Sequence, residues 1–297
     1  MNSLIVCNTG SDSISKIPLV TSLNTDIVCE EILLTEGEKP LGPNGIYINN
    51  NIAYIANNYS NSISILNMDT LKEESIIYVG AHPNDLTGYD KYLYIVCSES
   101  NDVVIYDLEE NKIIVEIKTN NWPYNIEISR KLKLLFITNF QSNNISVIDI
   151  KINKVIGELI TLEYPTKVKV SNDGKLLYVC ESYMGDEKNG YIEIFDLITL
   201  ESQGKIEVGK VPIDIFEDEN TLYVCNLMDN SIDLINKTTL SNIKEINING
   251  MPRTLLKHNN ILYIGDYLNG RVVCLDLVND SIKAITVGKE PNAMTLY

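Results

Sequence analysis

Histidine is nearly missing from this 297-residue chain, which holds two, His82 and His258. A Ser-His-acid constellation or an imidazole-rich metal centre needs more, so both chemistries lose their usual material. Long apolar runs are missing as well: no segment approaches the roughly 18 apolar residues that a membrane-spanning helix requires. The opening MNSLIVCNTGSDS has no basic region, and its apolar run is too short for a signal peptide. Positive charge is scarce, with 24 Lys and Arg against 40 Asp and Glu, a net charge of −16 and a pI near 4.6. Nucleic acid and anionic lipid, which are bound largely through Lys and Arg, are excluded as expected partners. Cys-x-x-Cys spacing is absent: the six cysteines, at 7, 29, 97, 180, 225 and 274, sit within apolar strand patterns. Reduced, buried thiols in a cytoplasmic protein are the expectation.

What the chain does have is a repeat. Pro43, Pro83, Pro123, Pro165, Pro212, Pro252 and Pro291 lie 40, 40, 42, 47, 40 and 39 residues apart, the period of a four-stranded propeller blade. After each Pro comes a short alternating stretch such as NGIYI or YNIEI, then an apolar one such as LFITN or LYVCN. An Asn/Ser/Asp-rich turn leads into a third alternating stretch (NSISILN, NNISVID), and a fourth often ends in Val-Gly. Period-two alternation bounded by such turns reads as antiparallel strand, and no useful helical period competes with it.

The ends complete the count. PNAMTLY is a first strand with no blade after it, while LIVCN and SISKI are second and third strands with no first strand before them. The expected fold is therefore all-β, one domain over 1–297, a seven-bladed propeller closed by the C-terminal strand completing the N-terminal blade. Blade 1 is 1–42 plus 290–297, and blades 2 to 7 are 43–82, 83–122, 123–164, 165–211, 212–251 and 252–289. A ring without open edges is expected to be a monomer.

With LYVCN at Leu222 to Asn226, LFITN at Leu135 to Asn139, SNDGKLLYV at Ser171 to Val179 and Val208-Gly209 followed by Pro212, the chain resembles the YVTN family of β-propellers. The resemblance runs over nearly the whole chain. It implies the fold and little about function, because such propellers include binding modules, surface proteins and a few enzymes.

In a propeller the first strand of each blade lines the channel, and the loops before it and after the second strand share one face. The residue before each Pro gives Gly42, His82, Trp122, Tyr164, Val211, Met251 and Glu290 on that face. Two positions after each Pro, Gly45, Asp85, Asn125, Lys167, Asp214, Thr254 and Ala293 are expected to point into the channel. The second strand ends at Asn8, Asn57, Cys97, Asn139, Glu181, Asn226 and Asp266, where Asn is expected to bond nearby backbone and hold the turn.

Aromatic residues concentrate on blades four and five: Trp122, the only Trp, with Tyr124, Phe140, Tyr164 and Tyr183. The second hairpin of blade five is five residues longer than that of blade six, and its insertion SYMGDEKNG adds Asp186 and Glu187 near Glu181, as if to wall this patch. Rings beside carboxylates suit a cationic group, and rings also anchor peptides. The expected function is a non-catalytic binding module without cofactor, taking a peptide, protein or small cationic ligand. Its expected site is Trp122, Tyr124, Phe140, Tyr164, Glu181 and Tyr183, with His82 on the rim and Asp85 and Lys167 in the channel.

The alternative is a divalent-metal-dependent hydrolase or lactonase. Gluconolactonase-like propellers hold an ion over the channel with carboxylate and Asn oxygens, and Glu181, Asp266, Asn139 and Asn226 resemble such a ring; oxygen-only ligands favour Ca²⁺ or Mg²⁺. Streptogramin lyases look similar in size and blade number, but the paired His on which their mechanism relies has no counterpart here. His82 is expected on the site face, and His258 on the opposite one.

Overall fold

The computed structural model describes residues 3–35 and 39–297. Residues 1, 2 and 36–38, part of the expected first blade, lie outside the described residues. Among the described residues the strands form seven four-stranded antiparallel sheets arranged as a propeller. The C-terminal strand Pro291–Leu296 pairs with Ser3–Asn8, which is followed by Ser13–Pro18 and Glu30–Leu33, so one sheet joins both ends of the chain. Among the described residues no helix is long and apolar enough to cross a membrane.

Each inner strand begins at its Pro, as in Pro83–Tyr89, Pro123–Ser129 and Pro252–His258. Pro lacks the N–H that a central strand would need, but the first residue of a strand whose outer edge faces the channel does not require it. There is no single central core. Seven apolar clusters instead fill the seven blade interfaces. One joins Tyr94, Val96 and Ile105 of blade three to Ile126, Leu135 and Ile137 of blade four. The next joins Phe136, Ile145 and Val147 of blade four to Val168, Leu177 and Val179 of blade five. The alternation seen in sequence thus buries both faces of each middle strand, one against each neighbouring blade.

A backbone bond recurs in every blade: the residue after the second strand donates its N–H to the carbonyl of the residue before the Pro. Its instances include Asn58 to Gly42 at 2.9 Å, Phe140 to Trp122 at 2.9 Å, Leu227 to Val211 at 3.0 Å and Thr9 to Glu290 at 3.1 Å. This bond brings the two loops of each blade onto one face. His258 ends its inner strand, at the far end from the Pro, and so lies away from His82.

The ends of the second strands are buried side chains that brace the sheet. Asn8 donates to Ser13 Oγ at 3.0 Å and Ser15 Oγ at 2.9 Å, and Asn57 to Ser62 and Ser64. Asn139 and Asn226 bond the equivalent positions of the third strand. The expected partner was backbone of the turn. The amides reach side chains instead, because an in-register antiparallel neighbour places residues five and seven further on beside them.

Candidate functional site

A β-bulge follows every Pro. Pro123 pairs with Asn139 and Asn125 with Thr138, which leaves Tyr124 as the extra residue, and the same shift occurs at the start of the other six inner strands. A bulge breaks alternation and re-aims the extra side chain. The residue directly after Pro is therefore released from the ladder, and in five blades (Asn44, Asn84, Tyr124, Arg253 and Asn292) it lines a pocket at the mouth of the channel.

These five residues form a chain of hydrogen bonds around the mouth. Asn44 Nδ2 donates to the Asn84 carbonyl and Oδ1, both at 2.8 Å, and Asn84 Nδ2 donates to the Tyr124 carbonyl at 2.6 Å. Arg253 donates through Nη2 to the Tyr124 hydroxyl and through Nε to Asn292 Oδ1, and Asn292 Nδ2 donates to Asn44 Oδ1. The Arg253 guanidinium also lies over the Tyr124 ring, 6.0 Å from its centroid.

Above this floor the pocket, about 260 Å³, is walled by His82, Trp122, Tyr59 and Tyr267. His82 and Trp122 lie in contact, their ring centroids 5.6 Å apart. Both adopt the left-handed backbone region, with φ of 57° and 55°, as do Tyr164, Val211 and Glu290 in the same register. Glycine takes that conformation without penalty but occupies the position in blade two alone, at Gly42. The strain in the aromatic residues is held by the preceding blade: Asn61 Oδ1 accepts the His82 N–H at 2.9 Å, Asn101 Oδ1 that of Trp122 at 2.8 Å and Asn143 Oδ1 that of Tyr164 at 3.0 Å.

Titration favours neutral walls. Burial pushes the His82 imidazole down, partly opposed by Glu99. Burial pushes the Tyr267 phenol up to about 12, with Glu290 adding to it, and likewise raises that of Tyr59.

The channel below is a cavity of about 440 Å³, and its charges are spoken for. Asp85 accepts from the Asn125 side chain and from the Ile126 N–H at 3.3 Å, while Asn125 Oδ1 accepts the Val168 N–H at 3.0 Å. Asp214 accepts from Thr254 Oγ1 and the Leu255 N–H, both at 3.0 Å, and pairs with Lys167 at 3.4 Å. Lys169 pairs with Glu127 at 3.2 Å, and Lys237 with Glu217. Asp85, Asn125, Lys167 and Asp214, each two after a Pro, thus fasten their blades to the next. Burial works against the Lys167 charge, but Asp214, Asp85 and Glu127 outweigh it and hold its ammonium well above the usual range. The Asp85 carboxyl is pushed up by burial against the opposing pull of Lys167 and of the Ile126 and Leu86 amides.

The structure brings together Trp122, Tyr124 and His82 at the mouth, and continues the row from Tyr124 to Phe140 at 5.7 Å and on to Tyr164 at 4.9 Å. Tyr183 stands apart. It meets Tyr191 at 6.3 Å, carries Lys188 over its ring at 5.4 Å and lines a separate groove of about 370 Å³. Asp186 and Glu187 are paired to Lys188 and Lys210, so the insertion shapes this second groove and puts no free carboxylate beside Trp122.

Glu181 is 0% exposed inside blade five, where it accepts the Leu162 N–H at 2.8 Å and lies beside Glu193 and Lys205. Burial first, and then Glu193, drive its carboxyl well above the usual range. Asp266 is also 0% exposed; burial opposes its charge, but Asn269, the Met251 amide and Arg271 prevail and hold it low. Glu181, Asp266, Asn139 and Asn226 each turn into their own blade, and among the described residues no three His, Cys, Asp or Glu gather where they could hold a metal ion. All four side chains are 0% exposed, with Asn139, Asn226 and Asp266 bonded to side chains of the neighbouring third strand or turn.

Arg253, Tyr59 and Tyr267 escaped the sequence reading. The signal for Arg253 was available in the register directly after Pro, which strict alternation assigns to the blade interior and the bulge returns to the mouth.

Fold and mouth together define a seven-bladed propeller with one aromatic, guanidinium-floored pocket above a neutralised channel. No family model matches the chain, and no curated protein does. Among solved structures it is similar to a functionally unknown protein from Desulfotomaculum acetoxidans (TM-score 0.82, 16% identity, covering 99% of this chain and 98% of that one). It is also similar to virginiamycin B lyase from Staphylococcus aureus (TM-score 0.71, 17% identity, 83% and 85%) and to hydrazine synthase of Kuenenia stuttgartiensis (0.71, 19%, 86% and 90%). At these identities the likeness is one of fold.

Proposed function

We propose that this protein is a non-catalytic binding propeller that takes a peptide or small-molecule ligand at the channel mouth, between Trp122, Tyr124 and Arg253. The observation that carries the reading is the placement of large aromatic side chains on strained or bulged backbone around one opening. His82 and Trp122 occupy left-handed positions where Gly would be cheaper, and Tyr124 sits on a bulge. Rings so placed, around a concave pocket with a few convergent polar groups, match the general form of a ligand site. The cationic ligand expected from sequence depended on Glu181 standing on this face. With that carboxylate inside blade five, no Asp or Glu among the described lining residues adds to what the rings alone offer a cation, and Arg253 opposes it.

A thermal-shift screen of small acids, amides, amines and short peptides tests the reading with wild type and Trp122→Ala side by side. A compound that raises the wild-type melting temperature is expected to lose most of that effect in the variant, whose unliganded melting temperature stays close to wild type. A ligand that stabilises both proteins equally would place the site elsewhere.

A further inference from the structure

We infer that the mouth pocket recognises a carboxylate carried on a flat, ring-sized body, with Arg253 as its anchor. The inference rests on the binding reading above and names the ligand class for that pocket. Arg253 is half-buried, and among the described residues no Asp or Glu stands within ion-pair distance of it. Of its five N–H groups, one is donated to Tyr124 and one to Asn292, and both acceptors are neutral. The remaining donors have no protein partner among the described residues. A guanidinium fixed in this way matches the planar fork of a carboxylate, and the two existing bonds preset its orientation.

The surroundings point the same way. The chain carries 40 Asp and Glu, yet among the described residues none lines this pocket. Of the carboxylates in the channel below, Asp214, Glu127 and Glu217 pair with Lys167, Lys169 and Lys237, and Asp85 is held by the Asn125 side chain and the Ile126 N–H, so none of the four is ion-paired to Arg253 although Arg253 also borders that cavity. The floor amides are spent on one another, so the guanidinium is the charged group with donors left over, beside Asn58, whose buried Oδ1 also has no partner among the described residues. Its immediate walls are neutral: burial lowers the His82 imidazole and raises the Tyr59 and Tyr267 phenols, with the Glu290 carboxylate standing behind the two tyrosines and hydrogen-bonded to Tyr267.

Size then limits the occupant. At about 30 Å³ per water, 260 Å³ corresponds to about nine water volumes, the scale of a single-ring acid. Trp122 and Tyr124 supply faces for such a ring.

The test uses ligand-observed NMR titration of the full chain with benzoate, benzamide and benzylamine, which share a ring and differ in charge. Benzoate is expected to bind wild type at least tenfold more tightly than benzamide. Arg253→Gln should bring benzoate down to the benzamide level and leave benzamide unchanged; Arg253→Lys, which keeps the charge and a donor for Asn292, should retain part of the preference and guards against loss of fold. If benzamide or benzylamine binds as tightly as benzoate and Trp122→Ala abolishes that binding, the carboxylate assignment is overturned while the mouth remains the binding site. Benzoate affinity unchanged in Arg253→Gln overturns the assignment too. Failure of all three probes to bind wild type would sink the assignment and the mouth reading with it.

Discussion

Replacing Asp214 by Ala should be among the most damaging single changes in the channel, and its cost can be worked from its bonds. The side chain is 12% exposed and serves two blades at once. One oxygen accepts from Thr254 Oγ1 and the Leu255 N–H of blade seven, each at 3.0 Å. The other accepts the Ile215 N–H at 3.0 Å and faces Lys167 of blade five at 3.4 Å. Alanine leaves the Leu255 amide and Thr254 hydroxyl without an acceptor, at about 1–3 kcal/mol for each buried group. It also takes from Lys167 its nearest counter-charge; with the Lys167 side chain 30% exposed, the loss falls below the about 3–5 kcal/mol of a fully buried pair. Asp85 and Glu127 remain to support Lys167, and the losses overlap, so the expected total is about 3–5 kcal/mol rather than their sum. Guanidinium unfolding followed by circular dichroism reads this as a lower midpoint with an unchanged slope. Asp214→Asn, which keeps an acceptor and loses the charge, should cost about half as much. A loss below about 1 kcal/mol for Asp214→Ala would refute the view that the residues two after Pro fasten the ring.

Two further outcomes follow from buried groups in blade five. Because the fold raises the Glu181 carboxyl, the folded chain holds more protons than the unfolded one between the ordinary Glu value and the raised one, so stability falls as pH rises through that window. Melting temperatures between pH 5 and 9 should show that slope in wild type and a flatter profile in Glu181→Gln, with the variant the more stable at the alkaline end; parallel profiles would contradict it. Gly190→Ala should destabilise by about 1–3 kcal/mol, since a Cβ there would lie 2.2 Å from Pro212 Cδ and 2.7 Å from the Glu181 carbonyl oxygen, neither free to move; a urea midpoint equal to wild type would show that the insertion yields instead.

The fold was legible because its signals are local and repeated. A Pro at the head of each inner strand, alternation through the next two strands and Asn at the second strand's end recur in blade after blade, and the incomplete units at the two termini complete one another. The site was only partly legible. Trp122, Tyr124 and His82 were found because loop registers follow from blade topology. Glu181 was placed on the face because a charge at a strand end looks exposed, whereas its position in the sheet turns it across its own blade toward Glu193 and Lys205. Arg253 was overlooked because alternation forbids two consecutive residues on one side of a strand, and a bulge permits it. Nothing in the one-residue step from Pro252 to Arg253 announces a bulge. Only its recurrence after every Pro in the structure does.

That bulge divides the labour of the inner strand. The residue two after Pro reaches sideways to an amide of the next blade, so its identity is constrained by a buried acceptor's duty, as at Asp85, Asn125 and Asp214. The residue one after Pro has left the ladder. Its replacement disturbs no backbone pairing, and at Thr166 and Ile213 it takes no part in the mouth's ring of bonds. At Thr166 and Ile213 that register still joins blades, the Thr166 hydroxyl donating to the Pro212 carbonyl at 2.7 Å and Ile213 packing against blade seven, whereas Tyr124, Arg253 and Asn292 are only half-buried at the mouth. Substitutions at Tyr124, Arg253 or Asn292 should therefore act on ligand affinity far more than on unfolding, the reverse of the balance at Asp214. The separation follows from the bulges, which set the mouth register apart from the channel register one residue on, where Asp85, Asn125 and Asp214 bind the next blade.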